Sequence, residues 1–157
     1  MDLIQSSVTF NLSDAVHAKG AVENLTLTGT AAVSGTGNAD NNVITGNGGA
    51  NVLNGGAGAD TLTGGGGNDS FSFHFGEANG DVVMDFAGAG STAGDRLDFY
   101  GYGTLATGAT VQQIGTSDFY KITPDAAHGG AAAAETIEIL NVFNLNTGVG
   151  SNDLLLH

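Results

Sequence analysis

"GGAGADTLTGGGGNDSFS", residues 55–72, crowds glycine into a short span and repeats itself while doing so. Glycine loses more backbone freedom on ordering than any other residue, roughly 0.5–1 kcal/mol relative to alanine in a regular element. The crowding is nevertheless patterned. Leu62 and Phe71 stand nine residues apart, and Asp60 and Asp69 each precede them by two. The same phase extends upstream through Leu53 and Ile44, with Asn51 and Asn42 in the aspartate's place. The frames are "GNADNNVIT" (37–45), "GNGGANVLN" (46–54), "GGAGADTLT" (55–63) and "GGGGNDSFS" (64–72). The last two fit G-G-x-G-x-D-x-U-x at every specified position, U being a large apolar residue, and the first two are degenerate.

Glycine, asparagine and aspartate clusters also mark flexible linkers and turns. Frames in phase with their own apolar residues set that reading aside. A fixed period is the mark of a solenoid, whose units bury an apolar residue only against their neighbours. Nine residues are too few for a helical repeat, and they suit a six-residue turn followed by a three-residue strand with one side chain inward. Two such units make one coil of a flattened parallel β-roll, so residues 18 apart stack. The fold expected is all-β: a parallel β-roll capped by a small antiparallel, sandwich-like C-terminal region.

The charge says what the turns serve. The 157 residues carry 16 acidic groups against Lys19, Arg96 and Lys121, a net charge of −13. Such a surface repels phosphate backbones and anionic membranes, and a cation is its natural counterpart. With 41% hydrophobic residues the chain has core material, so self-repulsion rather than lack of apolar mass is the obstacle to folding. The length is that of one domain or two packed sub-regions. There are no cysteines, which removes disulfides and thiolate zinc sites. No stretch approaches the ~20 apolar residues of a membrane span. Met1-Asp2-Leu3 begins no basic and apolar leader, so either the chain is a fragment or it leaves the cell without an N-terminal signal.

In each turn the carbonyls at positions two and four and the carboxylate at position six form half an oxygen cage, and the turn stacked on it supplies the other half. A hard cation taking six or more oxygens at about 2.3–2.6 Å suits this arrangement, calcium better than water-retaining magnesium. Glycine allows the left-handed turn conformations and the close approach.

On these residues the sequence resembles the RTX (repeats-in-toxin) β-roll of bacterial proteins exported by type I secretion. "VENLTLTGTAAVSGTGNADNNVITGN" (22–47) looks like the run that leads into such repeats, and "DVVMDFAGAGSTAGDRLDF" (81–99) like the segment that follows them in serralysin-type proteases and alginate epimerases. The resemblance implies several calcium ions, between frames 37–42 and 55–60 and between 46–51 and 64–69. Asp60 and Asp69 would supply carboxylates, and Gly56, Gly58, Gly65 and Gly67 carbonyls. From the opposing turns would come Asn38, Asp40, Asn42, Asn47, Gly49 and Asn51. Asn42 and Asn51 depart from the family's aspartate and imply weaker sites, while Asp40 could replace a missing carboxylate. Glu77 or Asp81 could close a site beyond frame 55–60.

The boundaries read as leading irregular coils (1–36), nonapeptide roll (37–75) and C-terminal β cap (76–157). Within the last, "DVVMDF", "DRLDFY", "ATVQQIG", "DFYKIT" and "ETIEILNVF" carry strand composition. "SVTFNL" (7–12) and "ENLTLTG" (23–29) read as the first coils, and alternation in "SFSFHF" (70–75) puts Phe71, Phe73 and Phe75 on one face. "AAAAE" (131–135) could open a short helix, against which the preceding "HGG" argues for a loop. "NDLLLH" (152–157) resembles the uncleaved C-terminal signal of type I substrates, and reads equally as a final edge strand.

Other chemistry is weakly represented. H-E-x-x-H, G-x-S-x-G, G-x-G-x-x-G and the P-loop pattern do not occur. His74 reads as a surface residue, and His128 as one in a loop. Asp81/Asp85 and Asp95/Asp98 could mimic a glycosidase pair, but calcium ligation or surface exposure suits them better. Arg96 reads as a local ion pair with its acidic neighbours. Tyr100 and Tyr102 could stack a sugar or pack on the cap. The expectation is a non-catalytic, calcium-dependent folding and secretion module of a larger exported bacterial protein, located outside the cell or on its surface. Its expected partners are calcium, the type I machinery and an attached passenger domain. The alternatives are a calcium-dependent polysaccharide- or surface-binding module and, disfavoured, a small hydrolase.

Overall fold

The structure is a computed structural model that describes residues 2–14, 16–18, 20–87, 94–104, 107–114, 118–130, 134–140 and 154–157. Each nonapeptide contributes one short strand: β5 (Val43–Thr45), β6 (Val52–Asn54), β7 (Thr61–Thr63) and β8, which runs on through Ser70–His74. Ahead of them lie β1 (Leu3–Ser6), β2 (Phe10–Asn11), β3 (Asn24–Leu27) and β4 (Ser34–Thr36). After them come β9 (Val82–Val83), β10 (Arg96–Tyr100), β11 (Thr110–Gln113), β12 (Phe119–Thr123), β13 (Glu135–Ile139) and β14 (Leu154–Leu156). A 3-10 turn, Ala126–His128, is capped by Asp125.

Successive strands alternate between two sheets, which is what a six-residue turn between three-residue strands enforces. One sheet has the order β1-β3-β5-β7-β9-β13-β12-β11 and the other β14-β10-β8-β6-β4-β2. Through the nonapeptides the parallel registers are Ser34↔Val52, Val43↔Thr61 and Val52↔Ser70, each 18 residues apart. The middle residue of each strand points between the sheets, and Ile44, Leu53, Leu62 and Phe71 are all 0% exposed. Gly35 holds the equivalent position in β4. A Cβ there would lie 3.1 Å from Leu25 and 3.2 Å from Ile44, so the neighbouring side chains have already taken its volume.

Parallel coiling runs past the nonapeptides. β9 stacks on β7 with a 21-residue offset (Thr61↔Val82), and β10 on β8 with a 26-residue offset (Ser70↔Arg96). Among the described residues only β11, β12 and β13 pair antiparallel, and β13 joins the long sheet by pairing parallel with β9. The shorter sheet ends in β14, parallel to β10, with Leu154 buried against the core. That is the final edge strand read from "NDLLLH"; residues 151–153 lie outside the described residues, as do 131–133 of the alanine run. Phe71 and Phe73 share the core face, but β8 ends at His74 and Phe75 turns outward, half exposed, with its ring edge against Tyr102. β1 carried no clear strand signal, and "SVTFNL" forms only the two-residue β2.

Candidate metal centre

The turns stack along both edges of the roll. One edge carries residues 37–42, 55–60 and 75–81, and the other 46–51 and 64–69, with Asp85 and Asp95 against the last. Gly56, Gly58, Gly65 and Gly67 adopt positive φ of 90°, 124°, 91° and 114°, conformations an L side chain resists. They also sit where the turns come closest. A Cβ on Gly56 would run into the Asn38 carbonyl and one on Gly65 into the Asn47 carbonyl. On Gly58 and Gly67 it would stand 2.8 Å from the carbonyl oxygens of Asp40 and Gly49. The structure therefore brings four of the expected pairs face to face: Asn38 with Gly56, Asp40 with Gly58, Asn47 with Gly65, and Gly49 with Gly67.

The position-six residues form two vertical ladders. On one edge the Asn42 N–H donates to Asp60 Oδ1 (2.7 Å) and the Asp60 N–H to Asp81 Oδ1 (2.9 Å). On the other the Asn51 N–H donates to Asp69 Oδ1 (2.8 Å) and the Asp69 N–H to Asp95 Oδ1 (2.9 Å). Each carboxylate thus commits one oxygen to the coil before it. The second oxygens, Asp60 Oδ2 and Asp69 Oδ2, are buried without a hydrogen-bond partner.

A buried charged oxygen without a partner is costly, and the protonation equilibria register it. Burial pushes the Asp60 carboxyl up to about 6, with the charge of Glu77 adding to it and the bond from Asn42 opposing. Burial likewise raises Asp69 to about 6, helped by Asp95 and Asp85. Asp81 reaches about 7, through burial first and then the charges of Asp60, Glu135 and Glu77. Metal-free, these carboxylates bind protons more tightly than usual. A divalent cation at each bare oxygen would supply the missing partner and remove the penalty, so the donors present fit the group the sequence implies. Among the described residues no three His, Asp or Glu side chains converge on one point. A cation between the turns would therefore draw chiefly on main-chain carbonyls, as a hard oxygen-seeking ion does.

The leading frames use their side chains differently. Asn42 Oδ1 accepts from the Asn38 N–H and Asn51 Oδ1 from the Asn47 N–H, both at 2.8 Å, while their amide nitrogens turn toward the coil upstream. Downstream, carboxylates cap the stack against N–H groups. Asp85 accepts from Gly64 (2.7 Å) and Gly65 (2.8 Å), and Asp95 Oδ2 from Ala87 (2.8 Å). Sequence reasoning missed these two roles because neither residue is in phase with the nonapeptides.

The remaining candidates fall into structural places. Asp95 and Asp98 are buried rather than surface-exposed, since β10 lies inside the shorter sheet and Asp95, just before it, accepts from the Asp69 N–H. Arg96 grips Asp98 with two bonds of 2.8 Å and reaches Ser70 at 3.0 Å, an ion pair with one buried partner. Tyr102 is fully buried and its hydroxyl donates to Glu135; burial first, and then that bond, hold the phenol's proton above its ordinary range. Tyr100 is exposed, but its ring stacks on His74 at 5.2 Å and on His157 at 4.6 Å, strands on either side of it. Neither tyrosine offers a free ring face to a sugar. His74 is on the surface as expected, and His128, the last residue of the 3-10 turn, bonds its capping Asp125 (2.6 Å).

No curated protein matches the chain. A family match does: the RTX calcium-binding nonapeptide repeat (4 copies) covers residues 36–71. That span includes all four position-six residues and all the facing glycine turns, so residues 36–71 are RTX calcium-binding nonapeptide repeats, and they form part of a parallel β-roll.

Proposed function

We propose that this domain is a calcium-dependent folding module of an exported bacterial protein, with calcium held in the spaces between residues 37–42 and 55–60 and between 46–51 and 64–69. The observation that carries it is the pair of buried position-six carboxylates, Asp60 and Asp69, each with one oxygen lacking a partner. Asp60 and Asp69 would be the charged ligands, completed by carbonyls of Asn38, Asp40, Gly56 and Gly58 on one edge and of Asn47, Gly49, Gly65 and Gly67 on the other. Glu77 and Asp81 add negative potential on the first edge.

At low calcium the repulsion of a −13 chain and the entropy of its glycines oppose folding. Each bound ion offsets charge and ties two coils together, and its binding free energy becomes folding free energy. A chain extended in a calcium-poor cytosol and compact outside suits passage through a narrow exporter. RTX repeats are typical of secreted bacterial proteins, which supports the extracellular assignment. The module itself is read as non-catalytic, acting on an attached passenger domain by folding first.

The test is far-ultraviolet circular dichroism during a calcium titration, with magnesium as control. Calcium should raise the β signal cooperatively, and magnesium at equal concentration should not. Asp60→Ala and Asp69→Ala should each shift the calcium midpoint upward by roughly tenfold, about 1.4 kcal/mol. Wild-type midpoints in both variants would reject the assignment.

A further inference from the structure

Frames 37–45 and 46–54 carry asparagine at positions two and six, whereas frames 55–63 and 64–72 carry glycine and aspartate there. The structure gives that exchange a direction. Asn47 Nδ2 donates to the carbonyls of Thr28 and Ala31, both at 3.1 Å, and Asn51 Nδ2 to that of Val33 at 2.8 Å. On the other edge Asn38 Nδ2 donates to the Val22 carbonyl at 3.1 Å, and Asn42 Nδ2 lies 3.5 Å from Val22 O and 3.4 Å from Glu23 O. Within each pair the position-six amide also donates to the position-two oxygen, 3.2 Å for Asn42 to Asn38 and 3.1 Å for Asn51 to Asn47. The upstream turn carbonyls that would otherwise look toward a cation are therefore met by side-chain N–H groups. Asn42, Asn47 and Asn51 are buried, so these donors sit in the closed space and not at its rim.

We propose that the four amides of Asn38, Asn42, Asn47 and Asn51 take the place of a cation in the two inter-turn spaces ahead of residues 37–42 and 46–51. The cation array then begins only at the spaces closed by Asp60 and Asp69. This rests on the calcium reading above and sharpens it: the asparagines are not weakened ligands facing upstream but a seal. The physical ground is that an N–H pointing into a space repels a cation and satisfies the same carbonyl lone pairs the cation would use. Where glycine and aspartate replace the amides, the donors vanish: Asp60 Oδ1 and Asp69 Oδ1 face upstream as acceptors, and the second oxygen of each carboxylate is left bare. The leading coils so gain cohesion without metal and offer a finished surface on which the first metal-dependent turn can stack.

Two measurements test it. In crystals of the wild-type chain grown in calcium, ion density is expected ahead of residues 55–60 and 64–69, and none ahead of 37–42 or 46–51. Density in either leading space overturns the seal while leaving the calcium reading intact; an array empty everywhere sinks the calcium reading and the seal with it. In native mass spectrometry at saturating calcium, Asn42→Asp and Asn51→Asp should each bind one ion more than wild type, since each exchanges a donor for a carboxylate. An unchanged ion count overturns the proposal. So does a variant that stays unfolded in saturating calcium, because the new carboxylate has then found no cation in that space.

Discussion

Replacing Asp60 by asparagine should change the stability of this domain in opposite directions with and without calcium. The substitution keeps the shape and the Oδ1 acceptor that receives the Asn42 N–H at 2.7 Å, and removes the charge on the unpartnered Oδ2. Asp60 is fully buried, and its carboxyl rises from 3.8 to about 6 in the metal-free fold. At pH 7.5 that shift corresponds to roughly 3 kcal/mol of destabilisation. Solvent just outside the turn screens part of it, so about 2 kcal/mol is the working figure, within the roughly 1–3 kcal/mol for stranding a buried polar atom. In EGTA, Asp60→Asn should therefore stabilise the fold by about 2 kcal/mol, read as a lower midpoint for osmolyte-induced folding followed by circular dichroism. In calcium the same variant lacks a charged ligand, and its calcium midpoint should rise at least about tenfold, a cost near 1.4 kcal/mol. Asn42 and Asn51 show that the position accepts an amide in this fold. Equal destabilisation in both conditions would refute the reasoning, because it would make Asp60 a structural hydrogen-bond acceptor and nothing more.

Other outcomes follow from the same geometry. Asp60 and Asp69 have folded-state proton affinities raised to about 6, so the metal-free fold is relatively favoured at acid pH and loses that advantage as pH rises from about 4 through 6. Calcium binding should accordingly release protons at pH 5 and almost none at pH 8, which calorimetry in buffers of different ionisation enthalpy measures. Gly67→Ala forces a φ of 114° and a Cβ 2.8 Å from the Gly49 carbonyl, whereas a Cβ on Gly66 meets only the Gly48 Cα at 3.7 Å. Urea unfolding in calcium should show Gly67→Ala destabilised by about 2 kcal/mol or more and Gly66→Ala within about 0.5 kcal/mol of wild type. Phe71→Ala opens a cavity at a fully buried site against Phe86 and should cost about 3–5 kcal/mol in the same assay.

The nonapeptide phase made the roll, the inward Ile44, Leu53, Leu62 and Phe71, and the ladder positions of Asp60 and Asp69 legible from sequence. Each of these depends on a turn and strand of fixed length, so position in the repeat determines position in space. Past Asp81 that rule ends. Offsets of 21 and 26 residues still stack β9 on β7 and β10 on β8, but only their shared burial reveals it. The parallel docking of β13 on β9 and of β14 on β10 spans still longer stretches of chain, and no local pattern encodes a pairing at that range. The direction of an amide was equally hidden. Asn42 and Asp60 occupy one column, yet the first donates upstream and the second leaves an oxygen bare. Residue type fixes which of the two can donate, since a carboxylate has no N–H; which upstream atom each one meets is set by the coil stacked against it, a property of two turns in contact.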